Sequence, residues 1–144
     1  MSKNYDAIII GTGQSGPALA SRLNEEGLST AIIERKLVGG TCVNVGCTPT
    51  KTLVGSARVA YTSREAHRFG VSIGGDVSVD MRKVKERMKE VSGASNRSVT
   101  SWLEGMKNVN LIRGHARFVG PHSVEINGEI LEGEKIFINV GARP

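Results

Sequence analysis

Apolar residues along this chain come in short blocks whose spacing changes from one stretch to the next. Tyr5 to Ile10 is an apolar run that stops at glycines, the pattern of a buried parallel strand. From Gly13 to about Glu26, Ala18, Leu19, Ala20 and Leu23 give a helix with a small-residue face, and Gly27 ends it. Ser29 to Glu34 (STAIIE) reads as a second buried strand. Together these stretches form a strand–helix–strand unit of the size a right-handed crossover needs. A glycine-rich loop follows, then a helix from about Pro49 to His67 with Leu53, Val54, Ala57, Ala60 and Tyr61 on one side. Gly70 to Val79 is polar, contains Gly74-Gly75, and reads as a loop. Asp80 is placed to cap a long helix from Met81 toward Glu104, which Ser92 and Gly93 threaten to break.

The last third changes character. Leu111-Ile112, Ala116 to Val119, Val124 to Ile126 and Ile130-Leu131 are short runs separated by Gly120-Pro121 and Asn127-Gly128. Those turn signals predict a small antiparallel meander. Lys135 to Val140 (KIFINV) is one more expected buried strand, ending at Gly141. The fold class is therefore α/β, with a parallel sheet joined to an antiparallel β-meander. No internal repeat or low-complexity segment is present.

With 144 residues the chain is long enough for one domain with a real core. The net charge of +5 raises nucleic acid as a partner. Much of that excess lies in Met81 to Glu90 (MRKVKERMKE), where Met81, Val84 and Met88 have the spacing of a buried helical stripe and the charges form its solvated face. Aromatics are few and no compact basic cluster exists, so no nucleic-acid partner is expected. No apolar run approaches the roughly eighteen residues that span a bilayer, so no membrane association is expected. Ala7 to Ile10 is too short for a signal-peptide core. The expected compartment is the cytoplasm, where a cysteine pair is more often catalytic or metal-binding than a structural staple.

Gly11, Gly13 and Gly16 form GxGxxG between a predicted strand and a predicted helix. The first glycine allows the tight turn, the second lets a pyrophosphate approach the backbone, and the third lets the helix pack on the strand. The amides of Gln14, Ser15 and Gly16 are expected to point toward phosphates from the helix N-terminus. Glu34 ends the second strand, 18 residues after Gly16, and is placed to accept hydrogen bonds from a ribose diol. An acid there disfavours a 2′-phosphate. The pattern predicts a dinucleotide without separating FAD from NAD.

Cys42 and Cys47, the only cysteines, enclose Val43 to Gly46. The loop is short enough for a disulfide. Thr48-Pro49-Thr50 reads as a helix start, and a helix N-terminus with Lys51 one turn on lowers a thiol's pKa. A structural disulfide is at odds with a reducing compartment. A zinc site needs two more ligands, and His67, His115 and His122 are scattered. Plain buried cysteines do not call for so much glycine, threonine and proline. These alternatives stay open beside the leading one, a redox-active pair.

Both motifs together resemble the pyridine nucleotide–disulfide oxidoreductases, which include dihydrolipoamide dehydrogenase, glutathione reductase and mercuric reductase. The resemblance is carried by GTGQSG at 11–16, Glu34, GGTCVNVGCTPTK at 39–51, GHARF at 114–118 and INVGARP at 138–144, in the family's order. It implies a Rossmann-like FAD-binding domain, with FAD rather than NAD at the glycine turn. It implies Cys42 as the interchange thiol, Cys47 as the charge-transfer thiol against the flavin, and Lys51 near the flavin N5. Gly11, Gly13, Gln14, Ser15 and Gly16 would hold the pyrophosphate and Glu34 the adenosine ribose, with Arg35 near the adenine end. Gly40 and Thr41 would approach the pyrophosphate and flavin linker, the backbone of His115 and Ala116 would read adenine, and Gly141 would close the site. No metal site is implied.

The chain departs from the family in places. CVNVGCTPTK leans toward the mercuric and glutathione reductases before its second cysteine and matches neither group after it. The family's ATG appears as Asn139-Val140-Gly141, so Val140 lacks the threonine hydroxyl. The chain stops at Pro144, where the family enters its NAD(P)H domain. The expectation is that residues 1–144 are the N-terminal portion of the FAD-binding domain, truncated, with the NAD(P)H-binding and dimerisation domains absent. The implied parent is a homodimer that uses NAD(P)H to reduce a small-molecule disulfide, or a soft metal ion such as Hg(II), through FAD and the Cys42–Cys47 pair. The isolated chain is then expected to be inactive. Two rival readings are a stand-alone FAD or ADP module without turnover and a thiol-based metal-ion carrier.

Overall fold

The computed structural model describes residues 3–142. Strand β1 (Lys3–Ile10) leads through helix α1 (Ser15–Glu25) to β2 (Thr30–Glu34). Three helices follow: α2 (Gly40–Asn44), α3 (Cys47–Arg64) and α4 (Met81–Glu104), with a 3₁₀ turn at Ala66–Phe69. Strands β3 (Val109–Arg113), β4 (Arg117–Gly120), β5 (Ser123–Ile126) and β6 (Glu129–Ile138) complete the order. The sheet runs β3-β2-β1-β6-β5-β4. Strands β3, β2, β1 and β6 are mutually parallel; β6, β5 and β4 are antiparallel.

Alternation along the parallel strands divides the core in two. Ile9, Ile32 and Leu111 face Ala20 of α1 and Leu103 of α4. Ile8, Ala31, Ile33 and Ile112 face the opposite way, onto Val124, Ile126 and Leu131. Period-2 side-chain geometry makes both faces apolar, and each has a cover: helices on one, the meander on the other. The link between β3 and β4 shows that the sheet is not flat. Five inter-strand gaps at about 4.8 Å would separate them by about 24 Å, yet the link at 114–116 spans only about 14 Å when extended. The meander therefore curls back over the β1–β2 face, and Gly133 in β6 leaves the room for Ile8 that a Cβ, 2.8 Å from its side chain, would take.

Two strand boundaries differ from the sequence reading, while α4 has the expected span. Leu111-Ile112 belongs not to the meander but to the far parallel edge, paired with β2. Ile130-Leu131 and Lys135–Ile138 are one strand, whose first half pairs with β5 and whose length pairs with β1. Its C-terminal part is not deeply buried, for Ile138 is 65% exposed. Helix α4 runs unbroken through Gly93, started by Asp80, whose Oδ1 accepts from the amides of Arg82 and Lys83. Its packing on α3 outweighs the local cost of about 1 kcal/mol for a mid-helix glycine. The expected apolar side of α3 is left largely uncovered, with Val54 and Tyr61 57% and 63% exposed; Met81 at the start of α4 is exposed as well. Gly27 ends α1 as expected: its φ is +76°, and the amides of Gly27 and Leu28 return to the carbonyls of Asn24 and Leu23. No helix among the described residues is long and apolar enough to cross a membrane.

Candidate functional site

The glycine turn is built by close approach of backbone to backbone. Gly11 has φ +104°, and a Cβ there would lie 2.1 Å from the carbonyl oxygen of Asn139, just past β6. Only glycine fits both constraints. A Cβ on Gly16 would lie 2.5 Å from the Gly11 carbonyl oxygen, so α1 sits directly on the turn. Gly16 is buried and its amide donates to the Gly13 carbonyl at 3.0 Å. This corrects the expectation for its amide: Gly16 acts through packing. Gln14 and Ser15 are exposed, and among the described residues their amides have no partner within the turn. They are the donors left to face a ligand at the start of an 11-residue helix.

Glu34, at the end of β2, first serves the turn. Its Oε2 accepts from the amide of Thr12 at 3.1 Å and from the Thr12 hydroxyl at 2.5 Å, and its Oε1 accepts from the amide of Lys36 at 2.8 Å. A carboxylate has about four acceptor positions, so three donors leave capacity for a ribose hydroxyl. Thr12 is fully buried, and its oxygen also accepts from the Gly39 amide at 3.2 Å. One threonine thus ties the glycine turn to both the acid and the cysteine loop.

The cysteine loop starts on the turn. Gly40 has φ +61°, and a Cβ there would lie 2.8 Å from the Gly13 Cα. Helix α2 then carries Thr41, exposed, and Cys42, half-buried. At Gly46 a Cβ would lie 2.9 Å from the Thr41 carbonyl oxygen and 3.2 Å from the Cys42 Cα. That close approach folds Cys47, the first residue of α3, back toward Cys42. Both are free thiols, with Cys47 exposed. Hydrogen bonding to the Cys47 sulfur, with burial second, pushes the Cys42 thiol above its ordinary value; the charge of Lys51 pulls the other way and is outweighed. The expectation of a lowered thiol is therefore not met at Cys42, because a neighbouring sulfur holds its proton.

The loop is also clamped from behind. The Asn44 side-chain amide donates to the carbonyls of Val38 at 2.9 Å and Gly40 at 2.8 Å. Asn96 of α4 donates to Val38 at 2.7 Å and to the Asn44 side-chain oxygen at 3.1 Å. Among the described residues no group of three or more His, Cys, Asp or Glu side chains could hold a metal ion together.

The remaining expected residues lie around the same end of the sheet. Gly114 donates its amide to the Glu34 carbonyl at 3.0 Å, which brings His115 and Ala116 beside the end of β2. His115 is exposed and Ala116 half-buried, and neither is in a strand. Arg35 is exposed next to Glu34. Gly141 has φ +72° with open space around it. Arg143 and Pro144, the end of the INVGARP match, lie outside the described residues. Sequence reasoning missed the roles of Thr12, Asn96 and Asn139. Thr12 carried a signal, a hydroxyl inside the glycine fingerprint. Asn96 is one polar residue in a polar helix, and Asn139 is 128 positions from the turn that it supports.

The known proteins agree with this geometry. The family described as pyridine nucleotide-disulphide oxidoreductase matches residues 5–144. A dihydrolipoyl dehydrogenase of Thermus scotoductus is 37% identical over 142 residues, covering 99% of this chain and 30% of its own. A mercuric reductase of Lysinibacillus sphaericus is 35% identical, covering 98% of this chain and 26% of its own. The Cu(II) complex of the HOCl-induced flavoprotein disulfide reductase RclA from Escherichia coli superposes with a TM-score of 0.82 at 35% identity, over 99% of this chain and 30% of that one. The chain spans less than a third of the length of each of these proteins. With the glycine turn, Glu34 and the cysteine loop joined at one sheet end, and a family match over nearly its whole length, this chain belongs to the pyridine nucleotide-disulphide oxidoreductases.

Proposed function

We propose that this chain is the FAD- and dithiol-bearing part of an NAD(P)H-dependent flavoprotein that reduces a small-molecule disulfide or a soft metal ion. The observation that carries the reading is the contact between the two motifs: Gly40 rests on Gly13, and the Gly39 amide is held by Thr12. A thiol pair and a dinucleotide turn are thereby parts of one surface.

The residues present fit the cofactor. The outward amides of Gln14 and Ser15 suit a pyrophosphate, and Gly13 puts no side chain in its way. Glu34 has acceptor capacity for ribose hydroxyls, and His115, Ala116 and Arg35, beside the end of β2, would serve the adenine. In this reading Gly40 and Thr41, beside the turn, and Lys51, in the first turns of α3, would serve the flavin side, and Gly141, past β6, would close the site. Bound FAD would supply a two-electron carrier between nicotinamide and the sulfur pair.

The rest of the chemistry belongs to the chain. As a thiolate, Cys42 attacks one sulfur of the substrate disulfide; a Cys42–substrate S–S bond forms, the substrate S–S bond breaks, and one substrate thiol leaves. Cys47 then attacks the Cys42 sulfur, closing the Cys42–Cys47 bridge and releasing the second substrate thiol. Two cysteine protons end on the two product thiols, and the pair is oxidised as the substrate is reduced. Lys51 stabilises thiolate charge. A soft metal ion would instead take both sulfurs as ligands. Support for that substrate class comes from the similarity to a mercuric reductase. NAD(P)H oxidation and homodimer formation are assigned to the parent protein, in a reducing compartment such as the cytoplasm.

The test is direct. FAD should bind the purified chain in stoichiometric amount, and mild oxidation should convert its two thiols to an intramolecular disulfide, lost in Cys42→Ala and Cys47→Ala. A chain that binds no dinucleotide, or whose thiols pair only between molecules, would refute the reading.

A further inference from the structure

Asn139 lies just beyond β6, and three observations single it out. Its backbone amide donates to the Ile10 carbonyl at 2.8 Å, which fixes it beside the turn. Its side-chain Nδ2 donates to the Gly11 carbonyl at 3.3 Å. The same nitrogen lies 3.4 Å from where a Gly13 side chain would begin and 3.0 Å from where a Gly16 side chain would begin. The amide group therefore occupies space that the glycine fingerprint leaves open, and it is half-buried there.

A primary amide carries two N–H donors. One reaches Gly11. Among the described residues the other has no partner, and its nitrogen stands beside Gly13, where the missing side chain lets a pyrophosphate approach the backbone. We propose that Asn139 is a further binding residue of the nucleotide site, a neutral donor to the pyrophosphate as well as a support of the turn. The proposal rests on the dinucleotide reading above. It also explains why an uncharged amide suits this position: a carboxylate of the same shape would face both the Gly11 carbonyl and an anion.

ADP and adenosine separate the two roles, because only ADP carries the pyrophosphate. Their affinities are to be measured by titration calorimetry or NMR on the chain and on Asn139→Asp, with folding checked by circular dichroism melting. Asn139→Asp should weaken ADP by about tenfold or more at low ionic strength and leave adenosine within about twofold. Added salt should shrink the deficit. Asn139→Leu, similar in volume and without a donor, should weaken ADP by about five- to tenfold with the same indifference to adenosine, and it carries the test should the aspartate lower the melting point. ADP affinity unchanged in both variants overturns the proposal. So does an adenosine affinity that falls in step with ADP, since that marks a structural role alone. An unsubstituted chain that binds neither ADP nor FAD overturns instead the dinucleotide reading itself.

Discussion

Gly46→Ala isolates what brings the two sulfurs together. The new methyl would begin 2.9 Å from the Thr41 carbonyl oxygen and 3.2 Å from the Cys42 Cα. Both are backbone atoms, which cannot swing aside as a flexible side chain can. One strand of the loop must retreat by about 0.5 Å to restore ordinary contact. Overpacking of this kind costs about 1–3 kcal/mol. In the dithiol the loop can open and relieve part of that cost. In the disulfide the bridge holds Cys42 and Cys47 within a narrow range of separation, so the strain falls mainly on the oxidised form. The equilibrium constant for bridge formation against glutathione should drop by about 5- to 150-fold. The assay is equilibration in glutathione redox buffers, followed by acid quench and mass analysis of the thiol and disulfide forms. Gly55→Ala is the control: nothing lies within 4 Å of its Cβ position in α3. It should leave the redox equilibrium alone and raise stability by about 0.5–1 kcal/mol through helix propensity. A folded Gly46→Ala protein with the unsubstituted redox equilibrium would show that backbone approach at Gly46 does not set the pair's geometry.

Four further outcomes are expected. Thr12→Val leaves the Glu34 carboxylate short of a donor and the Gly39 amide without its acceptor, so urea unfolding should show a loss of about 1–3 kcal/mol; Thr12→Ser should recover most of it, and an equal loss in both would count against the hydroxyl. Asn96→Leu unclamps Val38 and Asn44 and should speed amide hydrogen exchange across residues 38–46 while leaving β1 protected; uniform acceleration everywhere would point to global destabilisation instead. The Cys42 thiol is raised chiefly by Cys47, so Cys47→Ala should speed Cys42 alkylation near pH 8. The same shift fixes a sign for stability. Above the ordinary thiol value of about 8.5 the unfolded chain releases the Cys42 proton first, so reduced protein should lose stability as pH rises through the folded value. Denaturation midpoints that are level or climb over that window contradict it.

Local periodicity and punctuation were enough to read β1, α1 and β2, the glycine turn after β1 and the Asp80 cap. Each of those depends on residues within a turn or two of one another, where backbone sterics and capping act directly. The Asn127-Gly128 hairpin was legible for the same reason, since both residues adopt the positive φ that such a turn requires. Tertiary structure decided the rest. Leu111-Ile112 has a short apolar pattern that suits a meander or a parallel edge equally, and its pairing with β2 was settled by what else could cover that face. Val54 and Tyr61 fall on one side of α3, yet a stripe becomes a buried face only where a partner element meets it. Thr12, Asn96 and Asn139 became site residues through hydrogen bonds across 22 to 128 positions. Such contacts are set by the crossover of the sheet and the docking of α4. Composition and spacing carry no trace of them, because a side-chain amide has the same identity wherever the chain brings it.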